Sequence, residues 1–373
     1  MATATPRIST KAIRRPRCKH CSKQFRTTSE VKKFCTPLCQ KESTKLKRRV
    51  SYSHRASNSA FLYRLAHEAE RAGTLQIFTG HTVESLIELH GVYKLWLKAN
   101  QYGDITSDNP KAFEISHIAS ANGTSLGLFH ASNLVVAPKA MNRAHGRKHF
   151  GYGLSIPRSQ LDSRYAVAKG SNRKTLIKRI IDFIGVDIVC ETVKVAKIQS
   201  TQRHKTLSWL YDHLDPANPD HLKLLGQIDD MSSKALAEVR AQVEGKQASG
   251  FKVKTETYSP LRVLMLELDR HTAIRPDLAI IKEAILERAP DYLIYSVRFD
   301  LIAPTEFQAL FDVLHGKEVY EVQELFAPQE PVVVLKTFTS FADELDQVVP
   351  DVAPVWFQND TATYQSDDAL PWD

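Results

Sequence analysis

Residues 113–146, FEISHIASANGTSLGLFHASNLVVAPKAMNRAHG, place three histidines and two of their asparagines (His117, His130, His145, Asn133, Asn142) at the ends of short apolar segments. A turn-rich GDITSDNP (103–110) precedes AFEISHI (112–118), which alternates like a strand. A loop of small polar residues and glycine follows. NLVVAP (133–138) reads as a second strand, and PKAMNRAHG (138–146) as a short helix with proline in its first turn and Gly146 as its stop. Imidazoles and carboxamides at such positions serve either a metal-assisted catalytic site or the simple stapling of a turn-rich backbone.

Working outward, the chain of 373 residues has room for more than one core, and its 43% hydrophobic and 25% charged residues are those of an ordinary soluble protein. No apolar run reaches the roughly 18 residues of a membrane span. The N-terminus is basic but has no apolar core, so a secretory signal is not expected; the expected location is the cytoplasm, or the host cytoplasm if the chain is phage-encoded. The net charge of +8 is uneven. Residues 1–55 hold sixteen Lys or Arg against Glu30 and Glu42, whereas 341–373 hold eight acids and no Lys or Arg. A basic head of this kind suits a polyanion such as DNA.

Four of the five cysteines lie in CKHCSKQFRTTSEVKKFCTPLC, as a C-x2-C pair (Cys18, Cys21) and a C-x3-C pair (Cys35, Cys39). Two such pairs let four thiolates converge on one structural zinc ion, closing a unit too small to fold on apolar burial alone. Phe25 and Phe34 supply its little core, and Pro37 opens a helix carrying Cys39. A disulfide pairing is the alternative that a reducing cytosol disfavours. The pattern resembles a treble-clef zinc finger. Around it, Arg14, Arg15, Arg17, Lys32, Lys33, Arg48 and Arg49 are the candidate phosphate contacts. Cys190 reads as a buried thiol.

Residues 113–146 resemble the HNH, or His-Me finger, nucleases, whose site is a ββα unit around one divalent metal. The resemblance implies that His117 is the general base, that Asn133 orients it, and that Asn142, with His145 as a second candidate, binds catalytic Mg²⁺ or Mn²⁺. It has one departure. The residue before the base is usually Asp or His and a metal ligand, but Ser116 stands there. Glu114, on the same strand face, or Asp104 and Asp108 in the preceding loop are the candidates to replace it. Beyond the helix, Arg143, Arg147, Lys148, His149 and Tyr152 are placed to meet a nucleic-acid strand.

The expected fold is therefore α+β: a basic treble-clef zinc finger (1–55), helices plus an HNH-like ββα-metal module (56–158), a helical region (159–247), an α-rich or mixed C-terminal domain (255–340) and a flexible acidic tail (341–373). Amphipathic helices are expected near 56–72 and 83–100, and strands at YLIYSVRFDLI and PVVVLKTF. His67, His81, His90, His204, His213 and His221 receive no role. The tail's tip resembles the acidic ends of bacterial single-stranded-DNA-binding proteins, which implies that Asp367, Asp368 and Trp372 bind replication or recombination partners. The leading function is a metal-dependent endonuclease acting on DNA. The alternatives are a non-catalytic nucleic-acid-binding and recruiting protein with a degenerate HNH fold, and an inhibitor of a host protein.

Overall fold

A computed structural model describes residues 12–102, 112–121, 123–146, 148–246, 258–288 and 302–327. The expected strands at 292–302 and 331–338, the tail with Asp367, Asp368 and Trp372, the loop acids Asp104 and Asp108, and Arg147 lie outside the described residues, apart from Ile302. The described fold is α+β and mostly helical, with two small antiparallel sheets.

The cysteine segment forms a tight hairpin, bridged at Arg14–Thr27 and Arg17–Gln24, that leads into α1 (Pro37–Ser57). Thr36 caps α1 by accepting the Cys39 amide, and Pro37 occupies the first turn, where its missing N–H costs nothing. This helix runs past the expected finger boundary at residue 55. Ser59 then caps α2 (Ala60–Ala72), and a Thr82–Ser85 capping box starts α3 (Val83–Ala99).

The decisive stretch is a β-hairpin followed by a helix. Strand β1 (Phe113–His117) pairs antiparallel with β3 (Leu134–Pro138), with His117 opposite Leu134 and Phe113 opposite Pro138. The helix α4 (Lys139–His145) follows β3 directly and packs on both strands. Within the connecting loop, β2 (Ser125–Gly127) pairs with β4 (Ser155–Pro157), a second sheet that the loop's small residues did not announce. Gly127 has to be glycine here, because a Cβ would stand 1.7 Å from the Ala119 carbonyl oxygen. The C-terminal end of α3 clamps β1: Trp96 Nε1 and Asn100 Nδ2 donate to the Phe113 carbonyl, and the Phe113 amide donates back to Asn100 Oδ1.

Downstream come α5 (Arg173–Ile184) and α6 (Val186–Val195), separated at Gly185 with φ 109°, then α7 (Gln202–His213), α8 (Pro219–Leu225) and α9 (Ser233–Val243). The last described helices are α10 (Pro260–Thr272), α11 (Ala279–Arg288) and α12 (Pro304–Leu314). One core gathers α2, α3, one face of the β1–β3 hairpin, α5 and α6. A second joins Ile118, Val135 and Ala137 of the hairpin region to α10, α11 and α12. The hairpin is thus packed from both sides, by elements on either side of it in sequence. A third, small core holds α7 and α9 together.

Candidate active site and zinc centre

Cys18, Cys21, Cys35 and Cys39 come together, their sulfurs all within 4.8 Å of one another. Cys21 Sγ is 3.6 Å from Cys35 Sγ, which is 3.4 Å from Cys39 Sγ. Four sulfurs each about 2.3 Å from a tetrahedral zinc stand roughly 3.8 Å apart, so the donor set fits structural zinc. The knuckle is shaped by the Cys18 amide donating to the Lys23 carbonyl and by Ser22, at φ 60°, donating to the Cys18 carbonyl. Desolvation opposes ionisation of Cys18, yet amides of Cys21, Cys35 and His20 outweigh it and bring the thiol down to about 6. Cys35, hydrogen-bonded first to Cys39 and also desolvated, is pushed up to about 12. A shared divalent ion is what such a crowded quartet needs to lose all its protons. His20 is exposed and outside the quartet. Arg14, Arg15, Arg17, Lys32, Lys33, Arg48 and Arg49 are exposed around it; Arg49 also pairs with Asp187 at 3.2 Å.

At the end of the hairpin, a cleft of about 200 Å³ is lined by Arg71, His117, Ser120, Asn142, His145 and Lys148 among others. Three of the four residues assigned from the ββα resemblance thus meet on one cleft. The fourth, Asn133, is fully buried and shapes it from behind. Amides of Ala119 and Leu154 donate to Asn133 Oδ1 at 2.9 and 3.1 Å, while its Nδ2 donates to the carbonyls of Leu128 and Ala119 at 2.8 and 3.3 Å. The chain that leaves His117 is pinned by this one carboxamide. Gly153, at φ 110°, makes room for it, since a Cβ there would lie 2.5 Å from Asn133 Oδ1.

His117 is half-buried, with the Phe129 ring 5.6 Å away. Arg71 Nη2 of α2 lies 3.3 Å from its Nδ1 and 3.5 Å from its Nε2. Desolvation first, then the Arg71 charge, push His117 down to about 3; Glu68 opposes them. Glu68 is only 1% exposed. It accepts from Arg71 Nε at 2.8 Å and pairs with Arg71 Nη2 at 2.7 Å and Arg64 Nη2 at 2.5 Å. Burial disfavours its charge, but Arg64, a His67 hydrogen bond and Arg71 hold it well below the usual carboxylate range. Neither Glu68 nor Arg71 was singled out from sequence. The available signal was an acid on the apolar stripe of an amphipathic helix, among Phe61, Leu65 and Ala72.

Ser116 is not the missing ligand. It is 3% exposed, and its Oγ lies 2.8 Å from Nε2 of His315, just past α12. His315 Nδ1 lies 2.8 Å from the Phe311 carbonyl and must donate to it, so Nε2 carries the lone pair and Ser116 donates its proton there. Nor does Glu114 line the cleft. Its Oε2 accepts from Asn142 Nδ2 at 2.7 Å and its Oε1 pairs with Arg143 at 3.2 Å. No Asp or Glu is among the lining residues. Besides His117 and the hydroxyls of Ser116 and Ser120, the donors on its lining are the Asn142 carboxamide and His145, whose ring is 7% exposed and whose Nε2 has no hydrogen-bond partner. Its other nitrogen is hydrogen-bonded to the Lys148 backbone, which leaves Nε2 as the lone-pair side. An orphaned imidazole nitrogen with an amide oxygen suits Mn²⁺ or a later transition ion better than carboxylate-seeking Mg²⁺.

His130 turns away from the cleft. It stacks on His81 at 3.8 Å and bonds the Thr79 carbonyl at 2.8 Å, which ties the loop to the segment just before α3. Cys190 is buried beside the Arg49 carbonyl, as a core thiol. No helix among the described residues is long and apolar enough to cross a membrane. No known family model, curated protein or solved structure matches the chain.

Proposed function

We propose that the chain is a metal-dependent DNA endonuclease of the HNH type. The observation that carries this reading is the meeting of His117, Asn142 and His145 on one cleft at the end of a β-hairpin, with Asn133 pinning the loop behind them. In this reading His117 takes a proton from water as the water oxygen bonds to phosphorus, and the bond to the leaving oxygen breaks, its electron pair departing with that oxygen. Asn142 and His145 would hold the divalent ion, which supplies charge neutralisation at the phosphoryl and leaving oxygens. The exposed cations of the zinc-binding hairpin and α1 would hold the duplex by its phosphates, with salt-sensitive and largely sequence-independent affinity. The test is cleavage of plasmid and branched DNA with Mn²⁺, Mg²⁺ or chelator. Metal-dependent cleavage that disappears in His117→Ala supports the reading, and intact DNA with every ion removes it.

A second reading, a nucleic-acid-binding protein on a degenerate HNH fold, is favoured by the absence of a carboxylate from the cleft lining. It predicts DNA affinity that His117→Ala leaves unchanged, with no cleavage by either protein.

A further inference from the structure

The strongest cation in the cleft does not belong to the hairpin-and-helix unit at all. Arg71 comes from α2, and its aim is fixed before any ligand arrives. Buried Glu68 grips Nε and Nη2 through one oxygen, and Arg64 holds that carboxylate's other oxygen. A carboxylate that is 1% exposed would be costly without partners, so the fold commits both guanidinium groups to it. The Arg71 side chain nevertheless stays 39% exposed and lines the cleft. What it meets there is the ring of His117, both ring nitrogens lying within 3.5 Å of Nη2. A guanidinium in this place sets a fixed positive charge against the imidazole and disfavours its taking a proton. Lys148 lines the same cleft, and its lining holds no acid, so the cleft presents positive charge to whatever enters.

We propose that Arg71 is the phosphate-engaging residue of this cleft, and that Glu68 is its positioning residue. A phosphodiester oxygen entering beside His117 takes the guanidinium's hydrogen bonds, so that binding the phosphate and neutralising the charge held against the base are a single event. The planar fork suits this exchange, because a phosphate accepts from two guanidinium N–H groups at once and brings the negative charge the imidazole lacks. This deepens the nuclease reading and rests on it for the chemistry, but the coupling between phosphate and His117 has its own readout. The groups facing His117 are Arg71, Glu68 and Arg64 from α2, with His145 of α4 and Lys148 lining the same cleft.

The experiment uses the full, zinc-loaded chain and two measurements. In the first, inorganic phosphate is titrated into wild type and Arg71→Ala while the imidazole NMR resonances of His117 are followed. Saturable movement in wild type and none in Arg71→Ala is expected; equal movement in both, or none in wild type, overturns the proposal. The second is single-turnover cleavage with Mn²⁺. Arg71→Ala is expected to lose about 10²–10³-fold in rate, with Arg71→Lys intermediate and free guanidinium restoring part of the loss in Arg71→Ala. Glu68→Gln should lower the rate and weaken the phosphate-induced movement of the His117 resonances, and a response equal to wild type in both would remove Glu68 as the positioning residue. A rate in Arg71→Ala within twofold of wild type also overturns the proposal. If wild type cleaves nothing but phosphate still moves His117 through Arg71, the nuclease reading fails and the anion site stands.

Discussion

Asn133 shows how much of the site hangs on one side chain. It satisfies two amides and two carbonyls of the backbone around the loop and is 0% exposed. Asn133→Ala is therefore expected to cost about 3 kcal/mol or more, since several buried backbone groups lose their partner together. Urea unfolding of the pair reads this directly, and a loss below about 1 kcal/mol would refute the stapling role. Ser116 makes the opposite point. Its proton goes to His315 Nε2. Ser116→Ala should thus destabilise by about 1–3 kcal/mol while leaving the metal concentration for half-maximal cleavage where it was. A shift in metal demand would restore Ser116 as a ligand. From sequence, its position before His117 flagged a departure but could not tell which way the hydroxyl pointed, because its partner stands 199 residues away.

Among the elements, those with local signals were legible. Proline at the start of α1, glycine after α4 and the alternation of β1 all placed element starts or stops within a few residues. The cysteine spacing picked out the four sulfurs that the structure brings together. The expected helix over 56–72 began a few residues early, since α1 runs on to Ser57 and Ser59 caps a fresh start at Ala60. The β2–β4 sheet went unread because three-residue strands carry no periodicity and pair through a distant partner. At this scale the finger yields a prediction. One zinc per chain is expected by elemental analysis, and Cys18→Ser should abolish stoichiometric zinc and weaken DNA binding. Far-UV circular dichroism should change little, as α1 keeps its packing on α6. Full zinc in Cys18→Ser would unseat the four-cysteine assignment.

For the whole molecule, several histidines are sealed in as neutral groups. His81, His271 and His315 are 6%, 1% and 0% exposed, and burial is the chief cause that pushes each down to about 3. A histidine lowered on folding gives its full stabilisation above its unfolded value near 6.5 and loses it as pH falls toward the folded one. Each forfeits about 1.4 kcal/mol per pH unit in that window, or about 2 kcal/mol by pH 5. Three together rival the net stability of many domains. The urea midpoint is expected to drop steeply between pH 7 and 5, well before Glu68, which acts only near its own acid range, begins to matter. A flat midpoint over that window contradicts neutral burial of these rings.

The contacts between the hairpin and the last helices carry a consequence in time. Arg270 of α10 donates to the carbonyls of Ala131 and Leu134, and His271 bonds the latter at 3.0 Å. As the chain leaves the ribosome, the four-cysteine hairpin emerges before the cleft's walls, with all four of its sulfurs. The cleft must wait for α10 and α12, some two hundred residues later, before β3 has its second wall. A half-made chain would own the part proposed to hold DNA and lack the part proposed to cut it. Birth order alone would keep an unfinished molecule from doing damage.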